Sequence, residues 1–130
     1  MFTARAPVKT VVSDGAWAIT FASGRAEFGK GAEKTLEELF SQLVIAGGTV
    51  VELHGHTDDS GEPRANQKLS EARAFAVKTW METKSPANFP AGRIRVFAHG
   101  QANPLVPNGT PEGRAQNRRV QVVLGMTKPN

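Results

Sequence analysis

A change of hydrophobic period at Gly47-Gly48 constrains this chain more than any other feature. Before it, Ala32, Leu36, Leu39, Phe40, Leu43 and Val44 recur at the spacing of one helical face across residues 31–46. After it, residues 49–56 alternate. Val51, Leu53 and Gly55 fall on one side; Val50, Glu52, His54 and His56 fall on the other. The glycines mark the boundary, because glycine accepts the left-handed conformation that closes many helices. A helix and a strand that each have one apolar face must bury those faces against other elements.

The switch recurs along the chain. Residues 17–21, Trp-Ala-Ile-Thr-Phe, read as a short strand, and Ser23-Gly24 as a loop. Residues 57–65 are a loop by composition, and a second helix is expected from about Asn66 to about Thr83. Its core stripe is predicted as Leu69, Ala72, Ala76 and Trp80. Pro86, Pro90 and Gly92 precede a strand at 93–99 with Ile94, Val96 and Ala98 inward. Thr110 and Pro111 suit the N-cap and first turn of a short helix over 111–117. A last strand at 119–124 would turn Val120, Val122 and Leu124 inward. The order β-α-β-α-β-(α)-β predicts an α/β (α+β) two-layer sandwich: a mixed four-stranded sheet with helices on one face. Glu52, His54, Arg95 and Gln121, with Phe97 and Val123, would lie on the other, partly open face, where the N-terminal segment is a candidate cover. Residues 1–15, with turn signals at Pro7 and Asp14-Gly15, read as a leader or linker; 16–125 form the domain and 126–130 a tail.

A chain of 130 residues suits one such domain. The absence of cysteine excludes disulfides and thiolate metal sites. The net charge of +4 permits anionic partners. However, the basic residues are spread out apart from Arg114, Arg118 and Arg119; tyrosine is absent; and no aromatic platform interleaves with them, so no nucleic-acid partner is expected. No stretch has the apolar length of a transmembrane helix, and residues 1–12 lack the apolar core of a signal peptide. A membrane link would therefore run through a parent protein or anchor outside this chain.

Chemistry concentrates after the strand that ends at His56. Asp58 stands just past its C-terminal edge, where ligands bind in open α/β sheets. Asn66 and Arg73 are seven residues apart on the second helix, so both project from one stripe, roughly 10 Å apart. Leu69 and Ser70 lie between them. If the loop folds back, an anion, an amide and a cation converge on a pocket suited to a zwitterion, with the guanidinium holding a carboxylate in a fork. A plainer arrangement fits the same spacing: Asp58 caps its turn and Arg73 pairs along the helix. Arg73 lies off the predicted core stripe, so its loss should cost no more than an ordinary surface change. His54-Gly55-His56-Thr57-Asp58 also has the H-x-H-x-D spacing of di-zinc hydrolases. A catalytic zinc needs three protein ligands, though, and His99 is the one further histidine. Without a nucleophile elbow or a Cys/His pair, neither metal, cofactor nor enzymatic activity is expected.

Two longer motifs add to this reading. Gly55-His56-Thr57-Asp58 is followed by a Gly-containing loop and then Asn66-x-x-Leu69-Ser70-x-x-Arg73-Ala74-x-x-Val77. Later come Asn108, then Thr110-Pro111-Glu112-Gly113-Arg114-Ala115-Gln116-Asn117-Arg118-Arg119-Val120. Together they resemble the OmpA-like peptidoglycan-binding domain over residues 17–124, with Trp80 and the proline-containing linker 84–92 as small departures. The resemblance implies non-covalent binding of peptidoglycan through the diaminopimelate of its stem peptide, in the periplasm or cell envelope, within a larger protein. Asp58 would receive the diaminopimelate ammonium and Arg73 its carboxylate. Thr57, Ser60, Asn66 and Leu69 would line the pocket, Ser23 and Gly24 would form its far wall, and Arg118 would buttress it. Protein contact or homodimerisation through the open sheet face is the alternative or added role.

Overall fold

The computed structural model describes residues 9–11, 18–29, 31–47 and 49–126. Strands β1 (Lys9–Val11), β2 (Ile19–Thr20), β3 (Thr49–Gly55), β4 (Ile94–Ala98) and β5 (Arg119–Met126) form one sheet. They alternate with helices α1 (Ala32–Ile45), α2 (Pro63–Lys84) and α3 (Pro111–Asn117). β3 pairs with β4 in parallel, Val51 opposite Ile94, and with β5 antiparallel, Leu53 opposite Val122. The other flank of β5 takes β2 at Arg119–Val120 and β1 at 123–125. The sheet is thus mixed and four strands wide, as the element order implies. β1 comes from the segment read as a leader, and it widens the sheet edge. Residues 1–8 and 12–17, including Trp17, lie outside the described residues, as do Gly48 and the 127–130 tail.

The core forms where the inward residues of the sheet meet α1 and α2. Val51, Leu53, Val120 and Val122 are buried against Leu36, Leu39 and Leu43 of α1 and Ala74, Val77 and Met81 of α2. Each such valine, leucine or methionine contributes about 1.5–3 kcal/mol when fully buried. Phe40 and Trp80 pack against this core edge to face, with ring centres 6.2 Å apart.

Two expectations are corrected. The buried stripe of α2 is Asn66, Ser70, Arg73, Ala74, Val77 and Met81. Ala76 and Trp80 are partly buried, Leu69 is half-buried, and Ala72 is exposed. Hydropathy misplaces the stripe because the first half of the helix turns polar side chains inward, where they bond to backbone and loops. Nor does a left-handed glycine close α1 among the described residues. Its C-cap is Ala46 at φ −89°, and Gly47 is absent from the positive-φ positions. Arg93, just before β4, closes it instead: its Nη2 donates to the carbonyls of Leu43 and Ala46, each at 2.7 Å. The N-cap of α3 is as expected, with Gly113 N donating to Thr110 Oγ1 at 2.9 Å.

β3 and α2 approach so closely that Gly55 has no room for a side chain. A Cβ there would collide with the Ser70 carbonyl, which is backbone and cannot swing away. Ser70 Oγ in turn accepts from Gly100 N at 2.9 Å, joining the loop after β4 to the same contact. Gly55→Ala should therefore destabilise the domain by about 3 kcal/mol or more, the upper range of overpacking. Urea unfolding would measure this, and a loss below about 1 kcal/mol would mean that the contact yields easily.

Candidate functional site

The C-terminal end of β3, the start of α2 and the turn after β2 enclose a cleft of about 560 Å³. Ser23, Gly24, Asp58, Ser60, Asn66, Leu69 and Arg73 line it, together with Gly61, Ala65 and Lys68. Seven of the nine residues singled out in the sequence therefore share one cleft. Thr57 does not line it: it is buried beneath, its hydroxyl donating to the Asp58 carbonyl at 2.7 Å. Arg118 stands behind Asp58, its Nη1 donating to the carboxylate Oδ2 at 3.1 Å. Gly61, Ala65 and Lys68 went unnoticed because loop and helix-start residues carry no distinctive pattern.

Asp58 caps its turn and also lines the cleft. Its Oδ1 accepts from the Ser60 amide at 2.9 Å, closing a turn, while Oδ2 takes the Arg118 guanidinium. Burial raises the carboxyl, but the Ser60 amide and Arg118 outweigh it and hold it below its ordinary range. Asp58 therefore enters the cleft as a carboxylate at neutral pH. Asn66 supports the loop: its Nδ2 donates to Gln101 Oε1 at 2.7 Å and reaches the Asp58 and Gly61 carbonyls at 3.4 Å.

Arg73 departs most from expectation. Its side chain is 0% exposed, and it pairs with no residue along its helix. Nε donates to the Arg25 carbonyl at 2.8 Å, Nη1 to the His56 carbonyl at 2.9 Å and Nη2 to the Ala22 carbonyl at 3.0 Å. The guanidinium also lies 5.4 Å from the centre of the Phe21 ring. A guanidinium carries five N–H donors, so one N–H on each terminal nitrogen is left for another acceptor. Burial lowers Arg73 to about 10, opposed by the nearby Asp58 charge, and it stays cationic at neutral pH. The turn it grips is built for this: Gly24 adopts φ 68°, and the Ala22 carbonyl also accepts from Arg25 N at 3.2 Å. Arg118 Nε binds the Phe21 carbonyl at 3.2 Å, so two arginines hold the far wall against the Asp58 loop.

The H-x-H-x-D residues do not converge. His54 and His56 line a separate cleft with His99, while Asp58 faces Arg118 and the first cleft. Among the described residues no group of three or more His, Asp or Glu side chains is placed to hold a metal ion.

The model of the OmpA family matches residues 20–118, which include both arginines and Asp58. The chain belongs to the OmpA family. It is 37% identical over 106 residues to the probable lipoprotein YiaD of Escherichia coli, covering 82% of this chain and 47% of that protein. It is 37% identical over 93 residues to the outer-membrane lipoprotein YfiB of Pseudomonas aeruginosa, covering 72% of this chain and 54% of that one. The chain thus spans about half the length of these curated relatives. Among solved structures, the cell wall anchor of the T6SS from Pseudomonas aeruginosa superposes with a TM-score of 0.68 at 28% identity. That match covers 83% of this chain and 76% of the other. No described helix of this OmpA-family chain is long and apolar enough to cross a membrane.

The buried position of Arg73 reverses the expectation of a surface-sized cost. Arg73→Ala would remove three hydrogen bonds, leaving the Ala22 carbonyl with Arg25 N alone and taking the donor that Arg73 gives the Arg25 and His56 carbonyls, and each unmade buried bond costs about 1–3 kcal/mol. A loss of at least about 3 kcal/mol in urea unfolding is expected, and Arg73→Lys should recover little, since one ammonium cannot reproduce the planar three-way spread. A loss below about 1 kcal/mol would show that the three carbonyls do not depend on Arg73.

Proposed function

We propose that this domain binds peptidoglycan non-covalently through the diaminopimelate of the stem peptide, fastening an envelope protein to the cell wall. One observation carries the reading: a carboxylate held ionised and a cation with two unused N–H groups line the same cleft in an OmpA-family chain. The free end of diaminopimelate is a zwitterion, an ammonium and a carboxylate on one carbon. Asp58 would accept from the ammonium and Arg73 would donate to the carboxylate. Ser60, Asn66 and Leu69 would contact the rest of the stem, with Ser23 and Gly24 as the facing wall. Thr57 and Arg118 act behind the surface, Thr57 by fixing the Asp58 backbone and Arg118 by keeping its carboxyl ionised.

The likeness to a cell wall anchor supports the wall as the target, and the lipoprotein relatives support an envelope location. Because the chain spans about half of those relatives, it would act as one module of a longer, membrane-attached protein.

Binding and stability separate best at Asp58. Asp58→Asn keeps the size of the side chain and the acceptor for Ser60 N but removes the charge. It should unfold cooperatively, yet lose about 2–5 kcal/mol of wall affinity, roughly 30-fold or more. Titration calorimetry against soluble muropeptides would measure this. Lys-type stems lack the second carboxylate and should bind more weakly than diaminopimelate stems; equal affinities would refute the zwitterion model.

A further inference from the structure

The sheet face turned away from α1 and α2 holds a second cleft, of about 310 Å³, between His54, His56, His99, Asn103, Arg119 and Gln121. Most of its polar atoms are satisfied. One chain of hydrogen bonds crosses it: Asn103 Nδ2 to His99 Nδ1 at 3.3 Å, His99 Nε2 to His54 Nδ1 at 2.7 Å, and His54 Nε2 to Glu52 Oε1 at 3.0 Å. A single tautomer for each neutral ring, with its proton on Nε2, satisfies every link. The His54 and His99 planes differ by 12° with ring centres 5.0 Å apart, the geometry of an in-plane bond.

Two buried groups stand outside that chain. Arg119 is 4% exposed; Nε and Nη2 donate to Gln121 Oε1 at 3.2 and 3.1 Å, and Nη2 reaches the Asn103 carbonyl at 3.4 Å. All these acceptors are neutral, and Nη1 has no partner among the described residues. His56 is 5% exposed, and its Nδ1 is likewise without a partner. A buried cation with no counter-charge among the described residues and an unmade buried bond are each costly, and Arg119 and His56 line the same cleft. His56 is held neutral, its pKa pushed down to about 3 by burial and then by Arg119, so Nδ1 is free to carry the ring proton.

We propose that this open-face cleft binds a carboxylate, one oxygen accepting from Arg119 Nη1 and the other from His56 Nδ1. The ligand supplies the missing counter-charge and both missing acceptors in one planar group. The site is separate from the wall-binding cleft, for Asp58, Arg73 and Arg118 do not line it. A small free acid and an acidic side chain on a partner protein present the same chemistry.

The test is a titration of the isotope-labelled domain, as it stands, with sodium acetate and with acetyl-Gly-Glu-Gly-amide at pH 7. NMR would follow the Arg119 Nε–H signal and the His56 ring nitrogens. Saturable shifts at both residues, with His56 Nδ1 protonated in the complex, are expected. The tighter of the two probes identifies the source of the carboxylate. Arg119→Gln should weaken binding about tenfold or more, the value of one charged hydrogen bond. Shifts that rise linearly without saturation, or that appear at Arg118 and leave Arg119 unmoved, would overturn the site. So would a through-bond coupling between Arg119 Nη1 and His56 Nδ1 in the acetate-free protein, which would mean that the two groups satisfy each other.

Discussion

The cleft depends on one buried guanidinium. Arg73 joins three places that are far apart in sequence: the turn at Ala22–Arg25, the end of β3 at His56, and α2 itself. A planar donor with five N–H groups is the side chain that can serve all three carbonyls at once. Arg118 repeats the device on a smaller scale, linking the Phe21 carbonyl to the Asp58 carboxylate. The walls of the cleft are thus held by cations that also set its electrostatics. Under the proposed function structural and binding roles would coincide in Arg73, which is why Asp58 separates them more cleanly.

The two faces of the sheet have different tasks. One is covered by α1 and α2 and holds the apolar core; the other carries a hydrogen-bonded histidine chain and a buried arginine. His56 touches both settings: its carbonyl accepts from Arg73, and its ring lies in the open-face cleft beside His99, with ring centres 4.9 Å apart. The residue after Gly55 is therefore tied to each face by different atoms.

Much of this was legible in the residues. Period changes located α1, β3, β4 and β5, because each has an apolar face, and Thr110-Pro111 marked the start of α3 by its capping chemistry. The two motifs drew attention to Asp58, Asn66, Ser60 and Arg73, which the fold brings to one cleft. The buried face of α2 was misread, because hydropathy ranks Leu69 and Ala72 above Asn66, Ser70 and Arg73, yet the latter three are buried. A side chain that is buried through hydrogen bonds to distant carbonyls leaves no trace in local periodicity. The same holds for Arg93, which closes α1 from the start of β4, and for Asn117. Its amide bonds to Leu105, Val106 and Asn108, shaping the loop before α3. The strand β1 is three residues of a segment read as a linker, too short for any period to register.

The central claim is that Asp58 and Arg73 divide the two charges of one ligand group. A crystal structure of the domain bound to a stem peptide containing diaminopimelate tests it most directly. The account places the ligand ammonium within hydrogen-bonding distance of the Asp58 carboxylate, and the carboxylate on the same carbon against the two unused N–H groups of Arg73, with the three carbonyl bonds intact. A ligand seated elsewhere, or one bound with its carboxylate turned away from Arg73, would contradict it.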